Sequence, residues 1–176
     1  MCIRDRSKAA WSPELHKAAK KHALYLARYW HDYYEGEDWK RDPHLSLDGK
    51  SFGRRAIEAG YKNFALGENI GLCPTALTTP IQFYIINSSA KEIGKSLVKS
   101  WMESPGHRRN IIDPYPIGEE DAPTEFGAGY ILFKERDGAI NEIGVLVVGR
   151  SDRDTLGLKP GEKPPKNGKI IIIYTH

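Results

Sequence analysis

His44, Glu68 and His107 are the residues through which this sequence could do chemistry. Two imidazoles and a carboxylate suffice for an open zinc site with water as the fourth ligand. Without metal the same groups serve as general acid and base. The intervals between them are long and follow no local ligand motif, so spacing alone does not bring them together. Each also has a plain structural use. Glu68 can accept backbone N–H groups and hold its turn, His44 can cap a loop, and Asn69 reads as a turn organiser. No evident nucleophile accompanies them: Ser104 precedes proline, and no Gly-x-Ser-x-Gly elbow occurs. Cys73 is a single thiol with no histidine shown beside it, which is weak ground for catalysis.

The elements that must position these residues can be read from periodicity and punctuation. Ser12-Pro13-Glu14 starts a helix, with a capping serine, a first-turn proline and an acid at the positive dipole end. Leu15, Ala18, Ala19, His22, Leu26, Tyr29 and Tyr33 recur at helical spacing, so the helix is expected from about Pro13 to Asp32. His22 lies on that stripe and is expected to be a satisfied, partly buried histidine, whereas His16 lies off it and is expected in solvent. His44 falls in a long polar and aromatic loop over 33–50. Ser51 caps a short helix through Ala59 that Gly60 closes. Glu68 belongs to Gly67-Glu-Asn-Ile70, which reads as a turn-rich segment, and Pro74–Asn87 is ambiguous between helix and strand.

Ser89-Ala-Lys-Glu92 is a capping box that starts the next helix, with Ile93, Leu97 and Trp101 facing inward. Pro105 cannot extend that run and Gly106 permits a turn, which places His107 on a turn directly after a helix end. Arg108 and Arg109 make the surroundings basic, and Asn110 is expected to bond its own backbone. A helix C-terminus with cations suited to its dipole is the plainer reading of the same residues. Further on, Pro114, Pro116, Gly118 and Glu119-Glu-Asp121 read as a solvated loop. Glu125–Phe133 and Ile143–Val148 are strand-like about an Asp137-Gly138 turn, and a Lys, Pro and Gly linker over 159–169 leads to a strand at Lys169–Tyr174. Helices dominate the first 104 residues and strands the remainder, which predicts an α+β domain with helices packed over a mainly antiparallel sheet.

At 176 residues, with 40% hydrophobic and 28% charged side chains, the chain reads as one globular domain over 7–176. A net charge of +3 with no basic run interleaved with aromatics gives no ground for a nucleic-acid partner. No stretch has the continuous apolar length of a transmembrane helix. Cys2 and Cys73 allow one bridge at most and leave the redox compartment undecided. Met1–Arg6 is polar and resembles a translated sequencing-adaptor remnant, so residues 1–6 are set aside as a non-native leader and the lack of a signal segment there says nothing about location.

Gly67-Glu-Asn-Ile70 followed by Trp101-Met-Glu-Ser-Pro-Gly-His-Arg-Arg-Asn-Ile111 resembles the CAP superfamily, the SCP-like extracellular domains, in its bacterial form. Pro43-His44-Leu-Ser, Arg55-Ala-Ile-Glu-Ala-Gly-Tyr61 and Phe126-Gly-Ala-Gly129 fall in the family's order, and the likeness spans roughly residues 13–150. The resemblance implies an α-β-α sandwich whose central cleft gathers two histidines and acidic residues, and His44, Glu68 and His107 match three of the cleft positions; were zinc or another divalent metal held there, His44 and His107 would be its ligands. It also implies an extracellular or cell-surface location. Animal and plant members carry a second cleft glutamate where this chain has Ser104. Glu103 is the residue before it, roughly 100° away round a helix, so Asn69, Glu103 and Ser104 are supporting candidates only. The segment Pro74–Ser88 is longer than the family's usual link and is expected at a rim or lid.

The functional expectation is a binding module for a small ligand, lipid, peptide or cell-wall component. The competing expectation is a zinc-assisted hydrolase in which His44 and His107 hold the metal and Glu68 is the general base. A third is an interaction domain with a vestigial cleft. Fold alone does not choose among them.

Overall fold

The computed structural model describes residues 9–35, 38–62, 64–74, 90–112, 125–134, 140–150 and 172–174. In chain order these form β1 (Ala10–Trp11), α1 (Pro13–Arg28), α2 (Trp30–Tyr33), β2 (Tyr34–Glu35) and β3 (Asp38–Trp39). Then come α3 (Phe52–Ala59), β4 (Phe64–Pro74), α4 (Ala90–Glu103), α5 (Pro105–Ile112), β5 (Glu125–Lys134), β6 (Ile140–Arg150) and β7 (Ile172–Tyr174). The expected segments 75–89, 113–124, 135–139 and 151–171 lie outside the described residues, the Asp137-Gly138 turn and all of the expected Pro74–Ser88 rim beyond Pro74 among them.

The main sheet runs β1-β5-β6-β4, with β7 also paired to β5. Its three long strands pair antiparallel, while the short β1 and β7 join β5 in parallel. Side chains alternate faces along a strand, and here the two faces feed two cores. Ile143, Val145 and Val147 of β6, with Ile131 and Phe133 of β5, pack against Leu15, Ala19, Ala23 and Leu26 of α1 and Ala56 of α3. Leu146 and Val148, with Leu132, pack against Ile93, Leu97 and Trp101 of α4. Helices therefore cover both faces, and the fold is α+β, an α-β-α sandwich.

The helix signals hold at their starts. Ser12 Oγ accepts from Leu15 N, Ser51 Oγ accepts from Arg54 N, and Gly60 closes α3 at φ 104°. The first helix stops earlier than its stripe predicts, because Tyr29 leaves helical geometry and α2 restarts at Trp30. That break turns Trp30 onto Tyr34 and Phe133, with ring centroids 4.5 Å and 5.2 Å away. Three other expectations are corrected. Gly67-Glu-Asn-Ile70 is the middle of an eleven-residue strand, not a turn. Pro105 opens a second helix rather than ending the chain's helical run, so His107 sits in the first turn of α5. His16 is half-buried, its Nδ1 against the Ala128 carbonyl of β5, instead of solvated.

Trp101 is 3% exposed and lies in the second core, as its spacing predicts. Trp101→Ala is expected to cost about 3–5 kcal/mol of unfolding free energy, from lost burial plus the cavity left behind. Urea denaturation checks it, and a loss below about 1 kcal/mol would mean that the site collapses or that Trp101 packs poorly.

Candidate functional site

Among the described residues β4 ends the strand order of the main sheet. Strand alternation then sends neighbouring residues opposite ways. Glu68 pairs across from Val147 and points to the α1 face, while Asn69 pairs across from Leu146 and points to the α4 and α5 face. Gly67 shares the Asn69 face, where a Cβ would stand 3.0 Å from the Asn110 side chain, so glycine lets α5 lie close.

On the first face Glu68 is held from three sides. Arg55 Nη2 donates to both its oxygens, at 2.8 Å and 2.9 Å. His44 Nδ1 lies 3.1 Å from Oε1, and His22 Nε2 lies 4.0 Å from it. The Glu68 side chain is 1% exposed, so the guanidinium is its charge partner in place of water. Arg55 also donates to the His44 and Lys50 carbonyls, and His22 Nε2 is 2.8 Å from the Pro43 carbonyl. Tyr33 donates its hydroxyl to the Leu45 carbonyl, and His44 N donates to Asp42 Oδ1. The loop that carries His44 is thus tied to α1, α2 and α3, although the sequence shows only a polar, irregular stretch.

On the second face Asn69 Nδ2 donates to the His107 carbonyl at 2.9 Å, and Asn110 Nδ2 donates to Asn69 Oδ1 at 2.8 Å. Asn110 also reaches the Glu68 carbonyl. Asn110 therefore fastens α5 to β4 rather than bonding its own backbone. His107 is half-buried, and burial, followed by the nearby His44, holds its imidazole below the ordinary range. At neutral pH it is neutral and has a free lone pair.

Of the sequence candidates, His44 and Glu68 are in contact, and the His107 carbonyl accepts from Asn69, the strand neighbour of Glu68. Asn69 joins them by positioning α5. Glu103 is exposed and reaches Lys99 of its own helix at 3.8 Å, and Ser104 lies at the α4–α5 junction. The residue that sequence reading missed is Arg55. A signal was there: it stands three after Phe52 and four before Ala59, a cation on the inward stripe of a short helix.

The donor set can be compared with what a metal needs. His44 offers one ring nitrogen to Glu68, which leaves Nε2, the arrangement in which a carboxylate orients a ligating histidine. His107 supplies a second imidazole, whose own burial disfavours its protonated form. Glu68 has both oxygens on Arg55, which makes it an orienting group and not a third ligand. Among the described residues no group of three or more His, Cys, Asp and Glu is gathered as a metal site. Two imidazoles fit a weak divalent site and fall short of the three protein ligands of a catalytic zinc centre.

The arrangement is that of an α-β-α domain in which His44 rests on Glu68 of the strand that ends the described sheet. The family model of the cysteine-rich secretory protein family, CAP, matches residues 5–115, and the chain belongs to that family. Both motifs that carried the resemblance lie inside the matched stretch. Among solved structures, an outer surface protein from Borrelia burgdorferi is similar at TM-score 0.44 and 16% identity, over 81% of this chain and 78% of that one. Comparison with curated proteins gave no match.

Two buried groups give opposing pH dependences. Burial lowers His22 to about 4 from 6.5 and raises Glu142 of β6 to about 7 from 4.5. The folded protein binds fewer protons than the unfolded at His22, so that contribution to stability is lost as pH falls from 6.5 through about 4. At Glu142 it binds more, so that contribution is lost as pH rises from 4.5 through about 7. Glu142→Gln removes the second slope. Its unfolding free energy should therefore gain about 2–3 kcal/mol on the native protein's between pH 4.5 and 7. Parallel urea-midpoint profiles for the two proteins would exclude a buried, unpaired Glu142 carboxyl.

Proposed function

We propose that this CAP domain is an extracellular binding module whose polar cleft, beside β4, recognises a small ligand, lipid headgroup or peptide through His44 and His107. The supporting observation is the Arg55–Glu68–His44 chain. A buried ion pair fixes one imidazole nitrogen and leaves the other for a ligand, while His107, held neutral by burial, is tied by its carbonyl to Asn69 beside Glu68. The same pair of imidazoles takes a divalent metal weakly, with Glu68 orienting His44. The hydrolase reading needs Glu68 as a general base beside metal-bound water, and a carboxylate enclosed by Arg55 is badly placed to collect that proton. The extracellular location rests on family membership. Among the described residues no helix is long and apolar enough to cross a membrane.

Isothermal titration with zinc chloride near neutral pH tests the cleft. Binding is expected at micromolar affinity or weaker, lost in His44→Ala/His107→Ala, and without peptide-bond hydrolysis of casein above the buffer rate. Tight stoichiometric zinc accompanied by proteolysis that the double variant lacks would replace the binding module with the hydrolase. Zinc affinity unchanged in the double variant would remove both residues from the site.

A further inference from the structure

We propose that the outer face of α1 is a docking surface for an acidic polysaccharide, a carbohydrate chain that repeats a carboxylate or sulfate along its length. At helical spacing Lys17, Lys20, Lys21 and Arg28 fall within an arc of about 100°, on the side away from Leu15, Ala19 and Leu26 of the first core. All four are exposed, and half-buried Leu24 is the residue that stands among them in that arc. The three lysines lie within about one helical turn, and Arg28 follows roughly 10 Å further along the axis. The cationic stripe is therefore long and one helix wide.

Its charges are arranged differently from those of the other exposed cations. Among the described residues Lys40, Lys50, Arg54 and Lys99 each reach a carboxylate, at 3.1, 3.2, 3.3 and 3.8 Å, and none of the four α1 cations does. Lys17 stands three and four residues before Lys20 and Lys21, like-charge spacings that cost helix stability. Arg28 alone is in the last turn, where the dipole favours a cation. The stripe's positive charge exceeds the net +3 of the chain, so the remainder is nearly balanced. On α4, by contrast, Lys91, Lys95 and Lys99 are mixed with Glu92 and Glu103. An unrelieved row of cations on one helix face calls for an anion from outside.

The borders of the stripe select the kind of anion. Glu14 precedes it on α1, Asp32 and exposed Glu35 follow it, and Asp48 and Glu58 line the same cavity as Lys21. A flat anionic bilayer would press on these acids, and the apolar side of α1 that such binding inserts is buried in the core. A single charged chain laid along the helix meets the cations and passes between the acids. No aromatic ring stands in the arc, where a single-stranded nucleic acid would stack its bases. The choice of a carbohydrate over a nucleic-acid duplex rests on the extracellular reading above, whereas the stripe itself involves neither His44 nor His107.

Isothermal titration of the full chain at low salt tests the surface, using polygalacturonate, neutral dextran, and a DNA duplex and phosphatidylglycerol vesicles at the same anionic charge. Polygalacturonate should bind, dextran should not, and binding should weaken as added salt screens the stripe. Lys17→Gln/Lys20→Gln/Lys21→Gln should lower the polygalacturonate affinity about tenfold or more. Lys91→Gln/Lys95→Gln/Lys99→Gln, which removes the same charge from α4, should leave it unchanged, as should His44→Ala/His107→Ala. All six lysines are exposed, so neither triple variant disturbs the core. The assignment is overturned if polygalacturonate does not bind at low salt, or if the two lysine triples lose affinity equally, which would reduce the effect to net charge. Tighter binding of DNA or of vesicles, or loss of binding in the histidine variant, would overturn it as well.

Discussion

Arg55→Ala is expected to lower unfolding free energy by about 3–5 kcal/mol, the cost of stranding a buried charge by removing its partner. In the native protein both Glu68 oxygens accept from one guanidinium nitrogen, and the Glu68 side chain is 1% exposed. Without Arg55 the carboxylate keeps, among the described residues, His44 at 3.1 Å and His22 at 4.0 Å from Oε1. The loop loses its ties to the His44 and Lys50 carbonyls at the same time. Two companion variants separate these effects. Arg55→Ala/Glu68→Gln removes the stranded charge and should lose less than the two single variants summed. Arg55→Lys keeps the charge but cannot serve both Glu68 and the loop carbonyls, so it should fall between native and Arg55→Ala. Zinc affinity should drop about tenfold in Glu68→Gln, which removes the carboxylate proposed to orient His44. Urea denaturation and the zinc titration read these outcomes. A stability loss below about 1 kcal/mol in Arg55→Ala would place the Glu68 carboxylate in contact with water and remove the clamp.

The same ion pair marks where sequence reading reached and where it stopped. Helix starts were legible because their signals are local: Ser12 and Ser51 act on backbone N–H groups three residues away. The inward stripes of α1 and α4 were legible because burial repeats at the helical period. The strand identity of Gly67–Ile70 was not, because glycine and asparagine signal turns locally while pairing with Val145–Val148 decides the outcome at long range. His107 was assigned to a turn because Pro105 ends one helix, yet proline is equally suited to open the next. Glu68 and Asn69 were named together as one motif. Only the sheet shows that they serve opposite layers, one holding the His44 loop and the other holding α5. Arg55 escaped notice because an arginine on a short, polar helix ordinarily faces solvent, and its partner is thirteen residues away on a strand.

Gly127→Ala is expected to be the most damaging one-methyl change in the sheet. An added Cβ at Gly127 would stand 2.0 Å from His16 N and 2.2 Å from the Leu15 carbonyl carbon. These are backbone atoms of α1, so rotamer adjustment gives no relief and the helix itself must lift. Gly129 repeats the constraint one helical turn along, 2.4 Å from Lys20 Cα. Lifting α1 loosens Leu15, Ala19, Ala23 and Leu26 from the first core and moves His22 away from the Pro43 carbonyl. The loss should be about 3 kcal/mol or more, at or beyond the usual upper end for overpacking. Gly144→Ala is the control. Its Cβ would meet Leu97 Cδ1 at 2.5 Å, but that atom is a side-chain tip that can rotate aside, so a cost of about 1–2 kcal/mol is expected. Urea midpoints of the two variants, measured together, decide the matter. Equal costs would mean that α1 rides on the sheet with enough slack to absorb a methyl group, and the close helix–strand approach at Gly127 would then not be what holds His22 beside Glu68.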